Sequence, residues 1–213
     1  MIWRVEIKHK QGVFDAFAAG INKDIHDLGL TAFTAVEFVH VFTIEGTISA
    51  SQIKRIAGQL LADPITQDYT VLDAARYSPP AEHAGKKVVE IAYHPGVMDP
   101  VEESTIKGIR DLGITAIQTV HTSRQYHLHG SFTQRDINLV VDKVLANKLI
   151  QHVVQDFTAH LAPPAAATDG PVKVITVDVL EANERRLKDI SRTGQLFLNR
   201  QEMRSIQKYF RRL

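Results

Sequence analysis

Cysteine is absent from all 213 residues. That excludes a disulfide framework, a thiolate zinc site and a cysteine nucleophile, and it fits a reducing cytoplasm. Long apolar runs are missing too: no window of about twenty residues is free of charge, and the opening MIWRVEIKHKQG has no extended hydrophobic core. Neither a membrane span nor a signal peptide is expected. A formal net charge of +1 leaves no global field to attract nucleic acid or an anionic membrane, although Arg204, Lys208, Arg211 and Arg212 make the last ten residues locally basic. Neither partner is expected. Glycine-rich phosphate loops are lacking as well. Gly12 and Gly96 each stand alone between a strand and a helix, which is a turn signal rather than a nucleotide site.

What is present is ordinary globular composition, 44% hydrophobic and 23% charged, arranged as a repeat. YHPGVMDPVEESTIKGIRDLGITAI, from Tyr93 to Ile117, echoes KQGVFDAFAAGINKDIHDLGLTAF, from Lys10 to Phe33, at a constant offset. Carried without a gap over Val5 to Gln67 against Val89 to Gln151, the register gives roughly nineteen identities in about sixty-three pairs, several times chance.

Each copy reads the same way. Trp3, Val5, Ile7 and His9 alternate with Arg4, Glu6, Lys8 and Lys10, the pattern of a strand with one wet face. Asp15 is placed to cap a helix whose Phe17, Ile21, Ile25 and Leu28 form one stripe, and Gly29 ends it. Thr31 to Glu45 is extended and long enough for two strands joined by a reversal near Val39 and His40. Ser49 with Gln52 caps a second helix, and Tyr69 to Leu72 is a last strand. In the second copy Asp99, Pro100 and Glu102 start the first helix, and Thr133 with Asp136 starts the second. The order β-α-β-β-α-β predicts an α+β fold of two tandem ferredoxin-like units with antiparallel sheets. Each copy is small for a secure core, so the two are expected to pack about a pseudo-two-fold axis.

The expected domains are residues 1–77, residues 86–160 and a tail over 172–213, separated by the Pro-rich stretches SPPAEHAG and LAPPAAATDGP. In the tail, Val172 to Val179 alternates like a strand and Ala182 to Arg192 is an amphipathic helix ended by Gly194. Asn199 with Glu202 caps a final helix bearing Met203, Ile206, Tyr209 and Phe210. Those four residues are candidates for docking on a partner.

His121, His127 and His129 share one parity on a strand, as metal ligands would, but without a carboxylate or thiol they read better as a polar interface. Asp15 and Asp99 recur at one position, as paired acids for proton transfer would. Helix capping explains both. No catalytic, cofactor-binding or metal-ligating residue is expected.

At YHPGVMDPVEESTIKGIRDLGI, and less tightly at KQGVFDAFAAGINKDIHDLGL, the chain resembles the small PurS subunit of phosphoribosylformylglycinamidine synthase. The first copy departs from the pattern, with Gln11 and Ala16 where the second has Pro95 and Pro100. The tail from Ser191 to Phe210 resembles the linker that opens the large synthetase subunit. The resemblance implies two PurS-like units followed by the start of a synthetase region, as in a fused enzyme of purine biosynthesis. It implies a non-catalytic assembly role in the cytoplasm, bridging synthetase and glutaminase partners, with ATP and magnesium belonging to a synthetase domain outside this chain. Two other classes stand beside it: a small-molecule regulatory module, and an independent enzyme using the histidine face.

Overall fold

Residues 1–78, 85–155 and 175–212 are described in the computed structural model of the chain. The chain forms two compact units, Met1–Ala166 and Ala167–Leu213. In the first, the first copy supplies β1 (Ile2–His9), α1 (Ala16–Asp27), β2 (Phe33–Gly46), α2 (Ala50–Ile56, prolonged by a π-helical turn, Ala57–Leu61) and β3 (Gln67–Asp73). The second copy supplies β4 (Lys86–Tyr93), α3 (Pro100–Asp111), β5 (Ile117–Gly130), α4 (Gln134–Val140, with its own π-helical turn, Val141–Leu145) and β6 (Gln151–Val153). All six strands join one antiparallel sheet in the order β3-β1-β2-β5-β4-β6.

The capping pattern is realised in side chains. Asp15 accepts the Ala18 N–H, Asp99 accepts the Val101 N–H, and Ser49 with Gln52 and Thr133 with Asp136 close reciprocal capping boxes. The reversal expected near Val39 and His40 is absent: β2 runs unbroken, and β5 repeats it. A two-residue hairpin needs residues that take positive φ. Val39 and His40 are not such residues, and one long strand therefore occupies both middle places of each copy.

That long strand is where the copies meet. Across β2 and β5 the register sets Phe38 against Tyr126, His40 against Arg124 and Phe42 against Thr122. The repeat that sets Val5 on Val89 also sets His40 on Arg124, so the pseudo-two-fold axis passes through this one pair. At the strand ends the close approach is made by glycine. A Cβ on Gly46 would run into the Ala116 carbonyl, and one on Gly130, whose φ is 142°, would run into that of Ala32.

The cores are exchanged between copies. One gathers Val5, Ile7, Phe42, Ile44, Ile53 and Ile56 of the first copy with Ile109, Ile114, Ile117 and Val120 of the second. The other joins Ile25, Phe33 and Val36 to Val89, Ile91, Tyr126, Leu128, Ile137 and Val140. Each ferredoxin-like half is thus completed by the first helix and half the long strand of the other copy.

The second unit is a helical hairpin. Asn183 caps α5 (Glu184–Thr193), and Asn199 with Glu202 boxes the start of α6 (Arg200–Phe210). Leu187, Ser191 and Met203 are buried among its described residues, and the Gln207 amide donates to the carbonyls of Val179, Leu180 and Ala182. The strand expected over Val172 to Val179 is not found: 172–174 lie outside the described residues, and 175–179 form no strand. Alternation makes a strand only where a ladder partner exists.

Candidate functional site

Helices cover the sheet face that carries Val5, Phe42, Val89 and Tyr126. The opposite face, expected to be wet, is buried at its centre. Arg4 is 0% exposed and Gln125 1%. The Arg4 guanidinium donates to both oxygens of Glu90, Nη1 to Oε1 at 3.0 Å and Nη2 to Oε2 at 2.8 Å, and its Nε donates to Glu6 at 2.7 Å. Its face lies 4.0 Å from the Tyr77 ring centre. Glu90 also accepts from Ser123 Oγ at 2.5 Å and Gln125 Nε2 at 3.1 Å.

This network ties the copies together: β1 belongs to one, β4 and β5 to the other. It is also asymmetric. The repeat places Glu90 on Glu6 and Arg4 on Val88, so the cross-copy bridge is made once rather than twice. Burial opposes both charges, yet the Arg4 bonds and charge outweigh it and hold the Glu90 carboxyl below its ordinary range, while Arg4 is raised. Burial pushes the Tyr77 phenol up.

The three histidines do not act together. His121 Nδ1 stands 3.8 Å from Glu102 on α3. His127 and His129 both approach Glu37 across the β2–β5 ladder, at 3.7 Å and 3.1 Å, without hydrogen-bond geometry. His127 Nε2 lies 2.7 Å from Gln125 Oε1, which extends the buried network. Burial, then the Lys86 charge, pushes His127 down to about 4. Among the described residues no three histidine, aspartate or glutamate side chains gather as a ligand set.

The two aspartates keep their capping roles, and each has a second partner. Asp15 faces His9 Nδ1 at 3.1 Å, whereas Asp99, itself buried, accepts from Thr122. Beside Asp15 lies a groove of about 600 Å³ whose lining includes Lys8, His9, Lys10 and Phe38. At the matching place in the second half the space shrinks to about 50 Å³, lined by Tyr93, Asp99, Val101 and Thr122. On the axis itself His40, half-buried, is pushed down to about 4 by partial burial and then by the Arg124 charge.

In the hairpin, Met203 is 2% exposed and Ile206 is half-buried, while Tyr209 and Phe210 remain 60% and 50% exposed. The expected stripe is therefore divided, its inner part spent on α5. Sequence reading did not find Arg4, Glu90, Gln125 or Tyr77. Only the acidic and basic residues within strands of alternating character could have pointed to them.

These features define a class: one chain folded as a fused pair of ferredoxin-like halves, locked by a buried ion pair. Residues 2–73 match the family model described as PurS, phosphoribosylformylglycinamidine (FGAM) synthase. The first copy is accordingly PurS-like. It is the copy with the weaker turn motif, and it is also the one whose last strand is full length, Gln67–Asp73 against Gln151–Val153. No curated protein matches the chain. No described helix is long and apolar enough to cross a membrane.

Proposed function

We propose that the chain is a non-catalytic assembly module of phosphoribosylformylglycinamidine synthase, acting in purine biosynthesis in the cytoplasm as a covalent mimic of a two-subunit PurS pair. The observation that carries this is the PurS match over residues 2–73 in a chain whose two copies share one sheet about a single axis. The buried polar groups hold the copies in register and are closed off by one another, as structural groups are, while among the described residues no nucleophile and base converge on a common point. In this reading the module bridges the synthetase and glutaminase parts, and ATP and magnesium belong to the synthetase.

The test is reconstitution from separately purified synthetase and glutaminase components. With this chain present, a complex of all three forms on sedimentation and glutamine-dependent amidine formation rises, while the chain alone neither hydrolyses ATP nor releases ammonia from glutamine. Failure to bind either component, or turnover by the pure chain, sinks the proposal. The groove beside Asp15 supports a second reading, a regulatory module that binds a small metabolite. A thermal shift on adding an amino acid or a nucleotide, with no shift from the enzyme components, would favour it.

A further inference from the structure

The ladder between β1 and β2 stops early. Met1 and Gly46 exchange both backbone bonds at 3.0 Å, so every second pair inward, Trp3 with Ile44, Val5 with Phe42 and Ile7 with His40, is of the same bonded kind. His9 with Phe38 would be the next. The register ends instead at Ile7 and His40, and β1 goes on to His9 in the company of β3 alone. In the second copy the matching ladder runs one pair further, to Ala92 and Ser123. The side chains differ where the ladders do: Thr122 bonds to Asp99, whereas Phe38, at the equivalent place, sets its ring centre 4.5 Å from that of Phe17. A crevice of about 600 Å³ thus lies between two parted strands, against about 50 Å³ in the other half.

Its walls specify the chemistry of a ligand. The N–H and C=O of Val36 and Phe38 share the parity that turns toward β1, and among the described residues no strand pairs with that half of β2 on that side. Asp15 faces His9 Nδ1 at 3.1 Å, which leaves Nε2 for a ligand. Charge is mixed, Lys8 and Lys10 against Asp15, Glu37 and Asp68, so nothing there selects an anion. We infer that this crevice is a binding site for an amide-bearing ligand, a carboxamide or a peptide unit, which takes the place that His9 leaves empty beside Phe38. An amide offers a donor and an acceptor in one plane, as the missing strand residue would, and the Phe38 ring supplies an apolar wall. The site shares its groove with the metabolite reading above, rests on it where the ligand is free, and is independent of the assembly reading.

Amide-resolved NMR on the full 213-residue chain tests this. In the free chain the Phe38 N–H should exchange with solvent faster than those of Phe42 and Ile44. Asparagine, or a capped tri-alanine peptide, should shift the His9, Val36 and Phe38 resonances and slow that exchange, while Val120 and Thr122 stay unmoved. Aspartate, which puts a carboxylate of equal size in place of the amide, should bind about tenfold more weakly. A response to asparagine alone makes the ligand a free metabolite, and a response to the peptide alone makes it a protein segment. His9→Tyr with Phe38→Thr copies the second half and should abolish the shifts with the circular dichroism unchanged. Shifts that survive in that variant, aspartate binding as tightly as asparagine, or a natural chain that answers neither amide probe would overturn the inference. If a nucleotide moves the same resonances where both amide probes fail, the amide class falls and the metabolite reading stands.

Discussion

The Arg4 side chain shows how much one residue can owe to another 86 positions away. Removing a partner from a buried pair strands a charge, so Arg4→Met should cost about 3–5 kcal/mol of unfolding free energy, while Arg4→Met with Glu90→Met should recover much of it. Urea titration of the two variants checks both. Acidity bears on the same face. Because the Glu90 carboxyl is depressed in the folded chain, its contribution is present above the ordinary glutamate value and is lost as pH falls through the folded one. His40 and His127 work in the same direction. Both are held down to about 4 against an ordinary 6.5, so between those values the unfolded chain binds protons that the folded chain refuses, and stability drops as pH falls from 6.5 to 4. Denaturation midpoints across that range should decline, and a double His40→Gln, His127→Gln variant should flatten the slope. None of this was legible in the sequence. Alternation marks Arg4 as facing away from Val5, but it does not say whether that second face meets water or Glu90.

At the level of elements, sequence reading succeeded where the signal is local and failed where it depends on a neighbour. The caps at Asp15, Ser49, Asp99, Thr133 and Asn199 all form, because an Ncap side chain answers N–H groups two or three residues away. Strand alternation is equally local, and Val5 and Ile7 are buried on the side that it assigns them. The unbroken β2 and β5 are not legible locally, since their length makes sense only when each lies along the other, and the alternation over 175–179 makes no strand because no ladder partner is paired with it. The helix stripe of the first copy is half realised: Ile25 is buried but Phe17, beside Phe38, is 42% exposed, and Ile109 and Val101 of α3 repeat the contrast. The exchanged helices make a sharp prediction. Ile109→Ala in α3 should cost about 2–5 kcal/mol, and because Ile109 packs in the core of Val5, Ile44 and Ile53, amide exchange should quicken in β1 and α2 of the other copy. Exchange quickened only within the second copy would contradict the swapped core.

For the whole molecule, the exchanged cores mean that neither copy carries a complete interior. Residues 1–77 expressed alone lack Ile109, Ile114, Ile117 and Val120, and should show no folded monomer by sedimentation and circular dichroism. A folded form is available to that fragment only by pairing with itself. Here the pair on the axis decides what each copy can do. In a true homodimer, a residue on the two-fold axis has its own image as neighbour, so whatever it is must tolerate itself. A self-pair of the first copy would set His40 against His40, neutral and tolerable near pH 7. A self-pair of the second would set two like-charged Arg124 residues side by side on the ladder. Joining the copies in one chain frees that single point from the demand for self-complementarity, since a histidine can answer an arginine. The second copy, having used that freedom, would meet its own charge on the axis in any symmetric pair.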